Sequence, residues 1–294
     1  MSTSSLRGNN IPLAVMFMMI SVATYATQDV VVKLLPPEIT IIQICFFRGI
    51  FSFIPIMVMV IFEKEKRFLK TDQPGLHVLR TIASSLSLLC FISAFRLIPL
   101  TEAYAITFSC PLFMTLLCIP ILKEKVSSQR WLAVIVGFIG VLVVMRPGQD
   151  AIHIGGIIAL FGGLFYAVSL ILIRHLSDRD NNTMMILTFN IMSTLICGAL
   201  LPFNWVDFDL SLLPHFLLIG ILGGSAQYAM TQAFRTGPVS AIAPFDYVAL
   251  LWAVGYGYFI WDDIPDAYVI VGSLLIVGAG IYIVRHEKKA LFAS

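Results

Sequence analysis

Four ionisable residues stand isolated within long apolar stretches of this chain: Asp29, Arg48, Arg80 and Asp246. A charge in such surroundings holds an oppositely charged ligand group, carries a proton, or is neutralised by a partner. Asp29 and Arg48 fall at comparable distances from the junction between the first two apolar segments. Either they face one aqueous cavity, as a pair or as ligand contacts, or they form a structural ion pair locking those segments together. Arg80 lies little more than one helical turn from a segment end, close enough to snorkel to lipid headgroups. Asp246, with Tyr247 beside it, is a candidate for a coupling proton or for a cationic substrate group, and equally for neutralisation by Arg80. Rings, amides and hydroxyls accompany these charges: Tyr25, Gln28, Phe108, Tyr166, Ser169, Gln227, Tyr228, Gln232 and Trp252. Such groups suit an organic ligand better than a bare ion. Taken one at a time, each is equally well explained as packing or as a hydrogen bond between helices.

The elements that must carry these residues are membrane helices. Of the 294 residues, 59% are hydrophobic and 12% charged, with a mean hydropathy of +0.91. A soluble domain carries roughly 25% charged residues, because its surface faces water. The apolar residues come in runs near the roughly 20-residue length that spans a bilayer as helix. They cover 12–34, 40–62, 75–95, 101–122, 130–146, 154–175, 183–202, 214–234, 239–260 and 267–284. A membrane barrel would need alternating polarity, whereas Trp131 to Met145 is apolar on every face. The first run follows Arg7 as a signal peptide would, but its length predicts a permanent helix. The five cysteines all lie in apolar segments without metal-ligand spacing and read as packing residues. A net charge of +2 gives no hint of a nucleic-acid partner.

Basic residues give an orientation. With the N-terminus in the cytoplasm, the inner side receives Arg7, Lys64, Lys66, Arg67, Lys70, Lys123, Lys125, Arg130, Arg174, Arg179, Arg235, Arg285, Lys288 and Lys289. The outer side receives only Lys33, Arg96 and Arg146. This asymmetry satisfies the positive-inside rule and predicts two cytoplasmic termini. Glu102 falls near the outer interface, where it is either solvated or part of a gate.

The chain also resembles itself. Phe95-Arg96-Leu97-Ile98-Pro99-Leu100-Thr101 recurs as Phe234-Arg235-Thr236-Gly237-Pro238-Val239-Ser240, an offset of 139. At the same offset Phe108 meets Tyr247 and Glu124 meets Asp263; Tyr25-Ala26 and Lys33 match Tyr166-Ala167 and Arg174 at 141. Each copy holds five segments. Five is odd, so the second copy enters the membrane from the opposite side. The predicted fold is therefore all-α and integral to the membrane, with ten transmembrane helices as two inverted five-helix repeats, residues 1–146 and 152–290. Inverted repeats recur in secondary transporters, with the substrate site near the midplane between them.

Two Ala-Phe-Arg-x-x-Pro junctions, Ala94 to Pro99 and Ala233 to Pro238, each precede an apolar helix ending in acid, at Lys123-Glu124-Lys125 and Trp261-Asp262-Asp263. In these features the chain resembles the drug/metabolite transporter superfamily and its EamA-type members with ten helices. Phe46-Phe47-Arg48-Gly49 and His77-Val78-Leu79-Arg80 are similar to the subset that includes S-adenosylmethionine and riboflavin uptake carriers; the second repeat lacks both arginines. The resemblance implies a central cavity and a candidate substrate-binding set of Tyr25, Gln28, Asp29, Arg48, Phe108, Tyr166, Gln227, Tyr228, Asp246 and Tyr247.

Gly220 and Gly224 form a small-xxx-small pair suited to close helix approach. Pro111 and Pro244 fall inside the fourth and ninth segments, where a freed carbonyl kinks a helix or faces a cavity. No phosphate-binding loop is present, so transport must run on gradients, with protons the candidate coupling ion. No cofactor, metal or nucleic acid is expected. The expected function is alternating-access transport of a small organic metabolite across the inner membrane. S-adenosylmethionine or a related nucleoside- or amino-acid-like compound leads, ahead of flavin uptake or export of drugs or amino acids. An integral-membrane enzyme is the distant alternative: the five histidines lie apart, with no nucleophile–base pair or HExxH.

Overall fold

The computed structural model describes residues 10–62, 73–110, 112–114, 116–117, 128–145, 154–176, 182–236 and 243–291; within these, the side chains at 128–130, 174–175, 182–183, 234–235, 243–244 and 283–291 are left aside. Most of the basic clusters used for orientation, together with Glu124 and Pro111, lie outside that set.

Ten α-helices are described: α1 (Ile11–Leu34), α2 (Ile41–Phe62), α3 (Pro74–Leu97), α4 (Leu100–Thr107), α5 (Ser128–Met145), α6 (Ile154–Leu176), α7 (Asn182–Leu200), α8 (Leu213–Thr236), α9 (Val248–Trp261) and α10 (Ala267–Leu291). The described residues contain no strand. Asn10 caps α1, its Oδ1 accepting from the Leu13 amide at 3.2 Å, with proline in the first turn. By length and composition, stretches of six helices, α1, α2, α3, α6, α7 and α8, are able to cross a membrane; α5 and α10 contribute shorter apolar spans, Trp131–Met145 and Ala267–Tyr282. Large apolar side chains such as Ile61, Leu132, Leu251 and Phe259 are exposed around the bundle, as a lipid-facing surface requires.

Two segments expected to be continuous helix contain tighter turns. α4 stops at Thr107, the Ser109 amide bonds the Ile106 carbonyl at 3.0 Å in a tighter turn, and Leu112 and Phe113 restart on the Ser109 carbonyl. Pro111 has no N–H to offer the Thr107 carbonyl four residues earlier, which removes one rung of the ladder next to this turn. In the ninth segment, Ala243–Tyr247 forms a 3-10 turn before α9 begins at Val248. Asp246 therefore sits in a 3-10 turn that leads into α9 and not within regular α-helix.

α1 runs along α8, and α3 along α6; α2 lies on α8 and α7, α4 meets α9 and α6, and α5 crosses α10. Glycines set the closest approaches. A Cβ on Gly220 would lie 2.9 Å from the Phe51 Cα, and one on Gly224 would lie 2.8 Å from the Ser52 carbonyl and against Pro55. Cβ atoms on Gly140 and Gly272 would each come within 2.8 Å of the other's carbonyl oxygen. Buried hydroxyls tie the same pairs: Ser21 donates to the Ala226 carbonyl at 2.8 Å, Ser87 to the Gly162 carbonyl at 3.0 Å, and Ser52 to Asn190 Oδ1 at 2.6 Å.

Candidate substrate site

Depth along the helices brings Asp29 on α1 and Arg48 on α2 together, but they do not form a direct ion pair. Gln28 stands between them. Its Oε1 accepts from Arg48 Nε at 3.0 Å, while its Nε2 donates to Asp29 Oδ1 at 3.0 Å. Asp29 Oδ2 accepts the Tyr104 hydroxyl at 2.5 Å, which extends the network to α4. Gln28, Asp29 and Arg48 are all buried. Charged groups survive burial only with such partners.

One turn further along α1, Tyr25 donates to Gln227 Oε1 on α8 at 2.7 Å. Thr27 shares a hydrogen bond with Tyr256 of α9 at 2.9 Å. Phe108 and Tyr247, matched by the sequence offset, touch edge to face with centroids 5.0 Å apart, and Phe108 also adjoins Tyr104 at 6.2 Å. Tyr166 meets Phe91 edge-on at 6.0 Å. Asp246 is exposed, yet its carboxylate acts electrostatically on Tyr25 of α1, Tyr104 of α4 and Tyr166 of α6. Its exposure is therefore towards the interior of the bundle and not towards lipid. Nine of the ten candidate residues fall in or around this network. Tyr228 does not: it packs against Ile56, Met59, Ile186 and Leu187 in a separate apolar cluster.

Arg80 corrects an expectation. It does not snorkel; it is buried, and its Nη2 donates to the Met185 carbonyl at 2.6 Å, tying α3 to α7. Nor does it neutralise Asp246, with which it makes no contact. Lys33 and Arg96 are also engaged. Lys33 Nζ donates to the Ile98 carbonyl at 2.8 Å and lies 5.1 Å from the Trp261 ring centroid; Arg96 holds the Pro36 carbonyl at 2.8 Å and the Ile39 carbonyl at 2.5 Å. Glu102 and Asp263 act on Lys33 electrostatically, which places Glu102 at that same end of the bundle.

Three contributors escaped the sequence reading. Tyr104 lies four residues before Phe108 on one helical face, a spacing that pointed to it. Tyr256 had no marker beyond its type. Gly223 matters for the side chain it lacks: a Cβ there would sit 2.9 Å from Arg48 Nε and press on Gln28 Oε1.

Apolar helices around a charged, tyrosine-lined interior define a multi-pass membrane transporter for a small molecule. The chain belongs to the EamA-like transporter family, whose sequence pattern matches residues 12–146 and again 153–285. It is 26% identical over 276 residues to the S-adenosylmethionine uptake transporter of Rickettsia prowazekii, covering 93% of this chain and 92% of that one. It is 26% identical to the riboflavin transporter of Rhizobium johnstonii, over 75% of this chain and 74% of the relative. Identity to the pseudopaline exporter of Pseudomonas aeruginosa is 24%, over 90% and 93%. A crystal structure 15% identical in sequence shares the fold, with a TM-score of 0.66 over 93% of this chain and 98% of the other.

Proposed function

We propose that the chain is a gradient-driven carrier of a small organic metabolite, working by alternating access between two inverted five-helix repeats, residues 1–146 and 152–290. Ten transmembrane segments span the inner membrane in this reading, and both termini face the cytoplasm. The observation that carries it is a set of paired contacts. Ser21 bonds Ala226; at the sequence offsets of 141 and 139 these positions become Gly162 and Ser87, which bond each other. Ser84 and Ser169 share a hydrogen bond at 2.5 Å, and the same offsets turn them into Gly223 and Gln28, also in contact. Gly49 becomes Asn190, and those two are bonded across the centre, Asn190 Nδ2 to the Gly49 carbonyl at 3.2 Å. Such exchange of partners is what a two-fold axis in the membrane plane produces. Tighter turns at Phe108 and at its counterpart Tyr247 resemble the discontinuous helices that line transporter sites. Among compounds, S-adenosylmethionine or a related nucleoside- or amino-acid-like metabolite leads, supported by the relatives of that name matching nearly the full chain. Flavin uptake and metabolite export are the readings the other relatives support. Asp29 and Asp246 are the candidate carriers of a coupling proton.

The test is counterflow of labelled S-adenosylmethionine into proteoliposomes preloaded with unlabelled candidates, which requires neither the direction nor the coupling ion. A transient overshoot lost in Asp246→Asn supports the reading. Folded protein without overshoot removes S-adenosylmethionine, and failure of a panel including riboflavin removes the carrier. An impermeant thiol reagent tests orientation at Phe203→Cys, exposed in the loop between α7 and α8; it is expected to react from outside only.

A further inference from the structure

Arg48 is only 7% exposed, and among the described residues its one hydrogen bond runs from Nε to Gln28. Among the described residues Nη1 and Nη2 make no hydrogen bond. A planar guanidinium offers those two nitrogens as a fork that matches a carboxylate. Asp29 does not fill the fork, since its oxygens take the Gln28 amide and the Tyr104 hydroxyl. Gln28 fixes the guanidinium from one side, and Gly223 lets it pack close against α8, where a Cβ would fall 2.9 Å from Nε and 3.1 Å from Cζ. Asp246, a carboxylate exposed within the bundle, lies close enough to Tyr25 to act on it, as Arg48 does. Tyrosine faces beside a carboxylate favour a cation.

We propose that the transported molecule carries a carboxylate, held by the free fork of Arg48, and a cationic group, held by Asp246 among Tyr25, Tyr104 and Tyr166. The inference rests on the carrier reading and names its substrate class: an amino-acid-like zwitterion bound in one orientation. Two opposite fixed charges near one tyrosine discriminate by charge order as well as by shape. A compound with only a cation leaves the Arg48 fork unmatched; a neutral flavin leaves both ends unmatched. A buried polar site rejects analogues that lack its partner far more strongly than an apolar site does.

The experiment measures binding to the full-length protein in detergent for two matched pairs, S-adenosylmethionine with its decarboxylated analogue and arginine with agmatine, plus riboflavin. In any pair that binds, the carboxylated member is expected to bind roughly tenfold or more tightly. That preference disappears in Arg48→Gln and partly returns in Arg48→Lys, while Asp246→Asn weakens both members alike. Gly223→Ala, which crowds the guanidinium without removing its charge, is expected to shrink the preference and serves if Arg48→Gln does not fold. Equal affinity within a pair, a preference that survives Arg48→Gln, preferential binding of riboflavin, or no binding of any compound overturns the assignment. Arginine preferred over agmatine with no S-adenosylmethionine transport removes only the S-adenosylmethionine reading. S-adenosylmethionine counterflow with an equally potent decarboxylated analogue keeps the carrier and removes the charge assignment.

Discussion

Tyr104 donates a hydrogen bond from its hydroxyl to Oδ2 of Asp29 at 2.5 Å, joining α4 to α1 just before α4 ends. The bond lies in a water-poor interior, where an unmatched carboxylate oxygen is costly. Tyr104→Phe keeps the ring, and so keeps its stack on Phe95 at 5.4 Å, but removes the donor. The expected loss is roughly 1–3 kcal/mol of stability, read as a lower midpoint of unfolding in detergent. A midpoint equal to that of the unaltered protein means that Asp29 finds its partner elsewhere.

Asp246→Asn is expected to behave in the opposite way. No described side chain hydrogen-bonds this carboxylate, and it is exposed within the bundle, so neutralising it breaks no packing contact. Stability should stay within about 0.5 kcal/mol, while counterflow is lost. Unfolding midpoint and transport, measured on one preparation, separate a site residue from a structural one; equal loss of both assigns Asp246 to the scaffold.

The glycines divide by what stands opposite them. Gly224→Leu must displace Pro55 and the Ser52 carbonyl, so α8 has to move off α2; the expected cost is about 1–3 kcal/mol or more. A Cβ on Gly278 meets nothing within 4 Å. Gly278→Ala should therefore be neutral or stabilising, by up to about 1 kcal/mol, since alanine is the better helix former. Comparison of the two unfolding midpoints checks the helix register; reversed signs would show that α8 presents a different face to α2.

Much of this was legible from composition and spacing. Runs of apolar residues mark where a helix can satisfy its backbone in lipid, so the observed helices mostly begin and end within a few residues of the predicted runs. α4 and α9 departed because an apolar run looks continuous even where Pro111 or Pro244 removes a backbone donor. Depth along an axis can be counted from a segment end, which brought Asp29 and Arg48 to one level. The angle around the axis cannot be counted so easily. Hence spacing alone does not reveal Gln28 as the relay between them, the apolar cluster against which Tyr228 packs, or the bond from Arg80 to Met185. These features share one cause: an orientation depends on the neighbouring helix, and that helix lies far away in sequence.

The paired contacts predict which parts of the bundle stay fixed during transport. If the two states of the carrier are exchanged by the two-fold relation, then a contact formed here becomes its counterpart in the other state. A contact whose counterpart is already formed is thus common to both. Ser84 and Ser169, with hydroxyls 2.5 Å apart, have Gly223 and Gln28 as counterparts, also touching. α3 should therefore ride with α6, and α1 with α8, throughout the cycle. Ser84→Cys with Ser169→Cys places two sulfurs within reach of the roughly 2 Å disulfide bond. In a background with the five native cysteines replaced, mild oxidation should form this bridge, visible as a mobility shift after cleavage of the chain between α3 and α6. Counterflow should survive it. A bridge that forms and stops transport would mean that α3 and α6 separate during the cycle, and the exchange of states would have to run through other helices. A bridge that never forms would show that the register of α3 on α6 is different.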